Sequence, residues 1–415
     1  MQHVIKTDVL VIGAGPSGTV AAAIIKKAGY QVEIVEKMKF PRFVIGESLL
    51  PRCMEALEEA GFLDAIKAKG FQEKYGAKFV KDGQICDFRF EDQFTTGYNW
   101  TWQVPRADFD QTLANCCEDM GIPVRYETEV TAIRFNEDGS SVTTVKDTAG
   151  NEYTFEARFI VDGSGYGRVI PSLFGLDRPS GQKGRKTLFA HIVDTKRNMA
   201  HEPNRITVYI HKEKTWIWVI PFSNGNTSVG FVSDPSFFDD YTGTPEEMYR
   251  TMLDNEPELA ARFEGAELVF EPRTLQSWSS TADKFFGNGY VLTGNVTEFL
   301  DPIFSSGVTL ATVSAQNAAH LVIRYLQGET IDWEKEYMEP TMQGVNTFRT
   351  YVNSWYDGTL FTIFFTKDPN IHMKNQICSV LAGYVWDTNN PFVKNSERSV
   401  KTLANFIIEM EKTDL

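Results

Sequence analysis

The chain has no apolar run of bilayer length and few of the residues that bind metals or form disulfide frameworks. Its 415 residues include six histidines, which show no metal-ligand spacing, and five cysteines, which form no CxxC pair. We therefore expect no metal site and reduced, mostly packed thiols. The N-terminus enters its first strand without a cationic leader, and the absence of a spanning run excludes an integral membrane segment. These features predict a cytoplasmic protein.

Excess positive charge is also missing. The formal net charge is −14 and the sequence pI is near 5.0, which argues against a surface for nucleic acids or anionic membranes. The hydrophobic, aromatic and charged fractions are 42%, 13% and 23%, as in a soluble globular protein. A chain of this length holds a sizeable core and two or three substructures.

The N-terminus carries a pattern that predicts a nucleotide site. The apolar run Val9–Ile12 leads into Gly13-x-Gly15-x-x-Gly18 and then into small residues typical of a helix. Gly13 permits a tight turn, Gly15 lets the backbone approach a pyrophosphate, and Gly18 lets the helix pack on the strand. The free N–H groups at the helix start face the anion.

A second strand, Gln31–Val35, follows at βαβ spacing and ends in Glu36, which is placed to accept ribose hydroxyls. The alternative, a glycine turn without a ligand, is disfavoured because strand, turn, helix and acid all agree. Further along, helices are predicted at 52–68, 108–120, 244–265, 308–326 and through most of the last ninety residues. Strands are predicted at 74–80, in 123–163, in 187–233 and at 289–295.

Three spaced signals now coincide: the N-terminal fingerprint, Asp162-Gly163, and Gly294 followed by Asp301-Pro302. Together they resemble the FAD-binding fold of the aromatic-hydroxylase superfamily, which includes flavin monooxygenases, geranylgeranyl reductases and flavin-dependent halogenases. The resemblance covers residues 4 to 330. It implies an α/β, Rossmann-like FAD-binding fold with an inserted β-rich substrate layer and a helical C-terminal region.

We predict three regions. The FAD-binding domain is discontinuous, at 1–75, 100–185 and 285–330; the β-rich substrate domain takes 76–99 and 186–284; the helical region is 331–415. By the resemblance, Glu36 holds the adenosine ribose, Arg106 approaches the flavin, and Asp162 with Gly163 lines the dinucleotide channel. The turn at Gly294 contacts the pyrophosphate and ribityl chain. Further FAD contacts are assigned to Pro16, Ser17, Lys37, Arg42, Ser48, Val130, Pro302, Ser305, Ser306, Gly307 and Val308.

One position departs from the family pattern. Members usually have Asp after the late glycine, where this chain has Asn295. An amide still bonds a ribityl hydroxyl but brings no negative charge. We therefore expect FAD to bind, with altered affinity.

Two motifs resemble the halogenase branch: Gly46-Glu47-Ser48-Leu49 followed by Lys74, and Trp216-x-Trp218-x-Ile220-Pro221. In halogenases, reduced FAD and oxygen oxidise a halide to hypohalous acid, and a lysine steers this oxidant to the substrate. The resemblance thus assigns Lys74, Trp216, Trp218 and Ser306 to catalysis. It places a chloride or other halide at the N–H groups of Ser306 and Gly307, and reduced flavin then comes from a separate reductase.

Each of these residues also has a purely structural interpretation. Lys74 is flanked by charged residues and fits a solvated surface, the two tryptophans fit a sheet core, and serines before a helix fit simple caps. The aromatic tail, which includes Trp355 and Tyr356, fits core packing, an oligomer face or a cover for the cavity.

The functional alternatives are a flavin monooxygenase, an alkene reductase on an isoprenoid, and a non-catalytic flavin-binding protein. Tryptophan halogenases tend to have Glu where this chain has Phe304. This difference favours phenol- or pyrrole-type substrates, small or bound to a carrier.

Overall fold

The computed structural model describes residues 4–179, 181, 183–197, 205–212, 214–276 and 280–413. Two large sheets organise these residues, with helices between and around them. The strands are β1 Val4–Ile12, β2 Val32–Val35, β3 Gln72–Lys74, β4 Gly76–Lys81, β5 Gln84–Arg89, β6 Thr101–Gln103, β7 Val124–Arg125, β8 Thr128–Phe135, β9 Ser141–Asp147, β10 Glu152–Asp162, β11 Asp177–Pro179, β12 Lys186–Val193, β13 Ile206–Lys212, β14 Thr215–Pro221, β15 Asn226–Ser233, β16 Arg273–Gln276, β17 Ser280–Ala282, β18 Phe286–Gly287 and β19 Tyr290–Leu292. The helices are α1 Pro16–Lys27, α2 Cys53–Ala60, α3 Leu63–Ala68, α4 Arg106–Asp119, α5 Val169–Phe174, α6 Pro245–Asp254, α7 Pro257–Phe263, α8 Ser306–Leu326, α9 Glu339–Tyr356, α10 Thr359–Phe364, α11 Ile371–Leu381, α12 Pro391–Lys394 and α13 Ser396–Thr413.

The first sheet brings the three predicted nucleotide segments together. Its strands run in the order β18-β19-β10-β1-β2-β7, and β19, β10, β1, β2 and β7 are parallel neighbours. Val9, Leu10 and Val11 of β1 are fully buried, and each contributes about 1.5–3 kcal/mol of apolar burial. Helices α1 and α8 pack side by side on this sheet. The carboxyl ends of β1, β10 and β19 therefore meet at one edge, where ligands of such sheets bind.

The second sheet has the order β16-β12-β15-β14-β13-β4-β5, and it is antiparallel except between β13 and β4. Its strands come from 76–89 and 186–276, the two segments predicted as a substrate layer. Along β14 the side chains alternate: Ile217 and Val219 pack under α6 and α7, whereas Trp216, Trp218 and Ile220 belong to the other core cluster. The prediction that the two tryptophans share a face is confirmed.

Helices α9 to α13 cover that tryptophan-bearing face. Phe79 of β4 lies 5.6 Å from Trp355 of α9 and 5.0 Å from Phe364 of α10, ring centre to ring centre. The predicted helical C-terminal region is confirmed, and its aromatic side chains form core packing. Among the described residues, no helix is both long and apolar enough to cross a membrane.

Several predicted element bounds are wrong. The helix expected at 52–68 is interrupted, because Gly61 adopts φ +84° and ends α2 in the left-handed conformation. The segment 244–265 likewise forms two helices, α6 and α7. Lys74 ends the short strand β3 instead of starting a longer one, and α8 begins at Ser306 instead of Val308.

Candidate active site

A cavity of about 540 Å³ runs from the end of β2 to the middle of β14. Its walls include Glu36 at one end and Trp216 at the other, with the glycine turn and the start of α8 between them. Eighteen of the predicted site residues line it: Gly13, Gly15, Pro16, Ser17, Glu36, Lys37, Arg42, Ser48, Arg106, Val130, Gly163, Trp216, Trp218, Asn295, Pro302, Ser305, Gly307 and Val308.

The glycine turn has the close contacts that its sequence predicts. Gly13 has φ +94°, and a Cβ there would lie 2.7 Å from the carbonyl oxygen of Gly163. A Cβ on Gly18 would lie 1.9 Å from the carbonyl oxygen of Gly13, so Gly18 is a packing residue behind the cavity wall. Gly15 faces the cavity and precedes Pro16, the first residue of α1. The turn leaves room for a pyrophosphate at the start of α1.

Glu36 directly follows β2 and lies beside the glycine turn. Its Oε2 accepts a hydrogen bond from the N–H of Ala14 at 2.9 Å, and its Oε1 accepts one from Met38 at 2.8 Å. Each carboxylate oxygen keeps a free lone pair, and Glu36 lines the cavity. Glu36 is therefore oriented to accept hydroxyl donors.

A buried ion cluster supports the middle of the cavity. Arg42 and Arg106 both line it, and both bind Asp110 behind it: Arg42 Nη1 lies 3.1 Å from Asp110 Oδ2, and Arg106 Nε lies 2.8 Å from Oδ1. A Cβ on Gly15 would lie 3.4 Å from Arg42 Nη2, so the guanidinium stands over the glycine turn. The cluster presents positive charge where a pyrophosphate would lie.

Asp110→Asn is expected to lower the free energy of unfolding by about 3 kcal/mol, because the buried guanidinium of Arg106 and the partly buried one of Arg42 lose their counter-charge. Urea denaturation of the purified chain measures this change. Asp108→Asn, on the exposed side of the same helix, is the matched control and should change stability by less than about 1 kcal/mol. Equal effects of the two substitutions would contradict the assigned role of Asp110.

Two predicted cofactor residues lie behind the cavity wall. The carboxylate of Asp162 accepts hydrogen bonds from the N–H groups of Ser164 and Ile170, at 3.0 and 2.8 Å, and so shapes the turn that presents Gly163. Burial raises the pKa of Asp162. Gly294, with φ +62°, fits between Ser17 and Ala311. Asp162 and Gly294 do not line the cavity themselves, whereas their neighbours Gly163 and Asn295 do.

The start of α8 presents backbone to the cavity. Ser305 has φ +57°, a Cβ on Gly307 would lie 3.9 Å from the Phe299 ring, and both residues line the cavity. Ser306 is 2% exposed and lies behind them. No side-chain hydrogen bond caps this helix, so the interpretation of the serines as caps is wrong. The first N–H groups of a 21-residue helix are therefore available to an anion.

Trp216 and Trp218 form the far wall. Their ring centres are 6.0 Å apart, and the indole N–H groups donate to Tyr356 Oη and Ser228 Oγ at 2.9 and 3.0 Å. Both polar atoms are thus satisfied, and the ring faces give the cavity an apolar end.

Lys74 is 1% exposed, which contradicts its interpretation as a solvated surface charge. Its ammonium donates to Ser48 Oγ at 2.9 Å and to the carbonyl oxygen of Leu49 at 2.8 Å. Ser48 lines the cavity, so Lys74 lies one side chain behind the wall. Burial lowers its pKa to about 7, which leaves a large neutral fraction at neutral pH.

This pKa predicts a pH dependence of stability. Below pH 7 the lysine is protonated in both states, and the folded chain bears the full cost of burying an ammonium. From pH 7 to its ordinary value of 10.5 the unfolded chain binds more protons, so stability rises with pH. The rise is on the order of 4 kcal/mol. Urea denaturation at pH 7 and 9.5 should show about 3 kcal/mol of this rise in the natural chain and lose most of it in Lys74→Met. An equal slope in both proteins would contradict the burial of a charged Lys74.

Sequence reasoning missed a buried acid. Glu47 is 1% exposed and lines the cavity; its Oε1 lies 2.6 Å from His191 Nε2, while its Oε2 has no partner among the described residues. The Gly46-Glu47-Ser48 motif was the available signal for Glu47. Nothing marked His191, which lies 144 residues away. Tyr166 and Phe299, a ring pair 5.3 Å apart that also lines the cavity, carried no signal either.

The residues present fit FAD. Glu36 offers acceptors for a ribose, Gly15 and the start of α1 offer N–H groups beside Arg42, and the orphaned Oε2 of Glu47 offers an acceptor near the tryptophan wall. The apolar end suits a flat aromatic ring system.

Comparison with known proteins supports this assignment. Residues 6–335 match the family model described as "FAD binding domain". The chain belongs to this FAD-binding domain family. It is an FAD-dependent oxidoreductase, so the predicted fold class, cofactor and enzyme class are confirmed.

A flavoprotein/dehydrogenase from Cytophaga hutchinsonii has a solved structure with 60% identity and a TM-score of 0.96, over 98% of this chain and 100% of that one. The 1H-pyrrole-2-carbonyl-[peptidyl-carrier protein] brominase of Pseudoalteromonas luteoviolacea is 28% identical over 92% of both chains. The corresponding chlorinase of Pseudomonas fluorescens is 26% identical over 95% of this chain and 92% of its own. The resemblance to flavin-dependent halogenases is thereby confirmed.

Proposed function

We propose that this FAD-dependent oxidoreductase is a halogenase that oxidises a halide in the cavity and transfers it to an apolar aromatic substrate. One observation carries this proposal: a single cavity joins the uncapped start of α8 to the Trp216 wall, with Lys74 directly behind Ser48. The uncapped N–H groups at the start of α8 can bind a halide ion. The buried amine of Lys74 can interact with an electrophilic halogen.

When bound, reduced FAD together with oxygen supplies the oxidising equivalents for the halide. The N–H groups at Ser306 and Gly307 hold the halide through hydrogen bonds and the helix dipole. Trp216 and Trp218 exclude water from that end of the cavity. Arg42 and Arg106 neutralise the pyrophosphate, and Glu36 fixes the ribose.

Lys74 directs the halogen. At pH 7 the neutral amine would form an N–halogen bond at Nζ as the O–halogen bond of hypohalous acid breaks, and the departing hydroxide would take the amine proton as water; the protonated amine instead donates a hydrogen bond to the oxidant. Ser48, which already accepts from Nζ, lies between the amine and the cavity and keeps the amine oriented. Lys74 thus acts at a distance from the cofactor.

The substrate class follows from the relatives and from Phe304. The two pyrrole-carbonyl carrier-protein halogenases support a pyrrole- or phenol-type substrate attached to a carrier protein. Phe304 is 4% exposed and packs against Tyr351 and Trp355, so no carboxylate stands there. The sequence carries no second dinucleotide fingerprint, which supports a separate flavin reductase as electron donor. Cytoplasmic location and the domain bounds stay predictions.

The test uses FAD-loaded protein, reduced by light and then mixed with oxygen and bromide in the presence of a hypohalite trap. Bromination of the trap that depends on bromide, oxygen and protein supports the proposal. Hydrogen peroxide as the sole product, unchanged by bromide, would overturn it. Slow reaction with oxygen combined with rapid reoxidation by an isoprenoid alkene would point to a reductase instead.

A further inference from the structure

A buried polar chain crosses three parts of the fold behind the Trp216 wall. The indole N–H of Trp216 donates to the hydroxyl of Tyr356 at 2.9 Å, and that hydroxyl donates to Asp301 Oδ2 at 2.9 Å. Trp216 lies in the second sheet and Asp301 lies in the turn before α8. Tyr356 is the last residue of α9. Tyr356 is therefore the joint between two cavity walls and the helical region.

Each of the three groups in this joint has a single hydrogen-bonding role. The Tyr356 oxygen uses its proton toward Asp301 and a lone pair toward Trp216, so its hydroxyl cannot reverse without leaving the indole N–H unpaired. Burial raises the pKa of Asp301 to about 6, so its carboxylate is mostly ionised at neutral pH and accepts the phenolic proton. A hydrogen bond to an ionised acceptor is shorter and stronger than one between neutral groups.

Two further contacts hold the joint in place. The guanidinium carbon of Arg185 lies 3.7 Å from the centre of the Tyr356 ring, and Arg185 pairs with Asp234. Asp301 Oδ1 accepts from the N–H of Ile303 at 3.1 Å, which fixes the turn whose Pro302 and Ile303 line the cavity. Movement of the Tyr356 hydroxyl would therefore be transmitted to both the indole wall and this turn.

We propose that Tyr356 is a positioning residue that holds the Trp216 indole in the cavity wall and thereby sets how the substrate fits. Tyr356 does not itself line the cavity; it acts through Trp216. The effect on substrate rests on the proposed function, whereas the effect on the indole does not.

The first measurement follows the indole N–H signals of FAD-loaded protein labelled with ¹⁵N-tryptophan, with Trp216 assigned from Trp216→Phe. Tyr356→Phe should move the Trp216 signal upfield and speed its hydrogen exchange. Tyr351→Phe is the matched control: it lies on the same helix, is fully buried, and its hydroxyl has no partner among the described residues. It should leave the Trp216 signal unchanged. An unmoved signal in Tyr356→Phe would overturn the proposal.

The second measurement uses the N-acetylcysteamine thioester of pyrrole-2-carboxylate as probe, with bromide and reduced flavin. Tyr356→Phe should raise the apparent KM about three- to tenfold, the factor for one lost hydrogen bond, with kcat within about twofold. In a Trp216→Phe background the same change should raise the apparent KM by a clearly smaller factor, because the indole donor is gone and only the bond to Asp301 is left to lose. An equal effect in both backgrounds would contradict positioning through Trp216. If the natural protein does not brominate the probe, the proposed function fails for that substrate, and the indole signal alone decides the role of Tyr356.

Discussion

Lys74→Met is expected to reduce halogenated product by at least about 100-fold, while FAD binding and oxygen consumption persist. Methionine preserves the volume of the buried stem but removes the only group that can carry or hydrogen-bond the halogen at that position. Lys74 hydrogen-bonds Ser48 and Leu49 and none of the residues assigned to the ribose or the pyrophosphate, so the loss should be confined to transfer. Product is measured by mass spectrometry with bromide, and oxygen uptake is recorded in the same samples.

Lys69→Met is the matched control, because Lys69 is exposed at the end of α3, five residues before Lys74. It should halogenate at the natural rate. The pH profile adds a second criterion: if the neutral amine accepts the halogen, the rate of transfer rises through pH 7, following the lowered pKa of Lys74. Full activity in Lys74→Met would remove Lys74 from the mechanism and leave the FAD site untouched.

Gly15→Val is expected to weaken FAD binding by at least about 100-fold, equivalent to about 2.7 kcal/mol. Gly15 has φ −74°, which valine adopts without strain, and an added Cβ would contact only Arg42 Nη2, at 3.4 Å. The branched side chain would instead occupy the space beside the start of α1 where a pyrophosphate must lie. Quenching of FAD fluorescence on titration measures the affinity.

A control variant distinguishes a loss of FAD binding from a loss of folding. Ala28→Val, at the exposed end of the same helix, adds the same bulk outside the cavity and should bind FAD with natural affinity. Circular dichroism and the melting temperature of Gly15→Val should match those of the FAD-free natural protein. Undiminished FAD affinity in Gly15→Val would place the cofactor elsewhere.

The glycine fingerprint predicted its own geometry because each of its residues has a local steric reason. Gly18 lies against the backbone of Gly13 in the same turn, and Glu36 follows β2 at the expected spacing, whereas the contact of Gly13 with Gly163 comes from the end of the distant strand β10. The placement of Trp216 and Trp218 on one face of β14 likewise depends only on the neighbouring residues of that strand. Patterns of this kind depend on short stretches of chain, so they are visible before the fold is known.

Contacts between segments that are far apart in the sequence could not be predicted from the sequence. The burial of Lys74 depends on Phe90 and on residues of the Ser48 loop, and its charged sequence neighbours suggested a surface instead. Glu47, in the loop before α2, meets His191 of β12, and Tyr356 reaches Trp216 across 140 residues. Ser305 adopts the left-handed backbone conformation, which no propensity of serine predicts. Ser306 is buried, whereas Ser305 and Gly307 line the cavity.

The most direct test of the account is a crystal of FAD-loaded protein soaked in bromide, with anomalous density recorded at the bromine edge. The account predicts a flavin ring between the start of α8 and the Trp216 wall, and a bromide peak at the N–H groups of Ser306 and Gly307. A flavin ring bound outside this cavity, or bromide absent from the start of α8 while it occupies other sites, would contradict it.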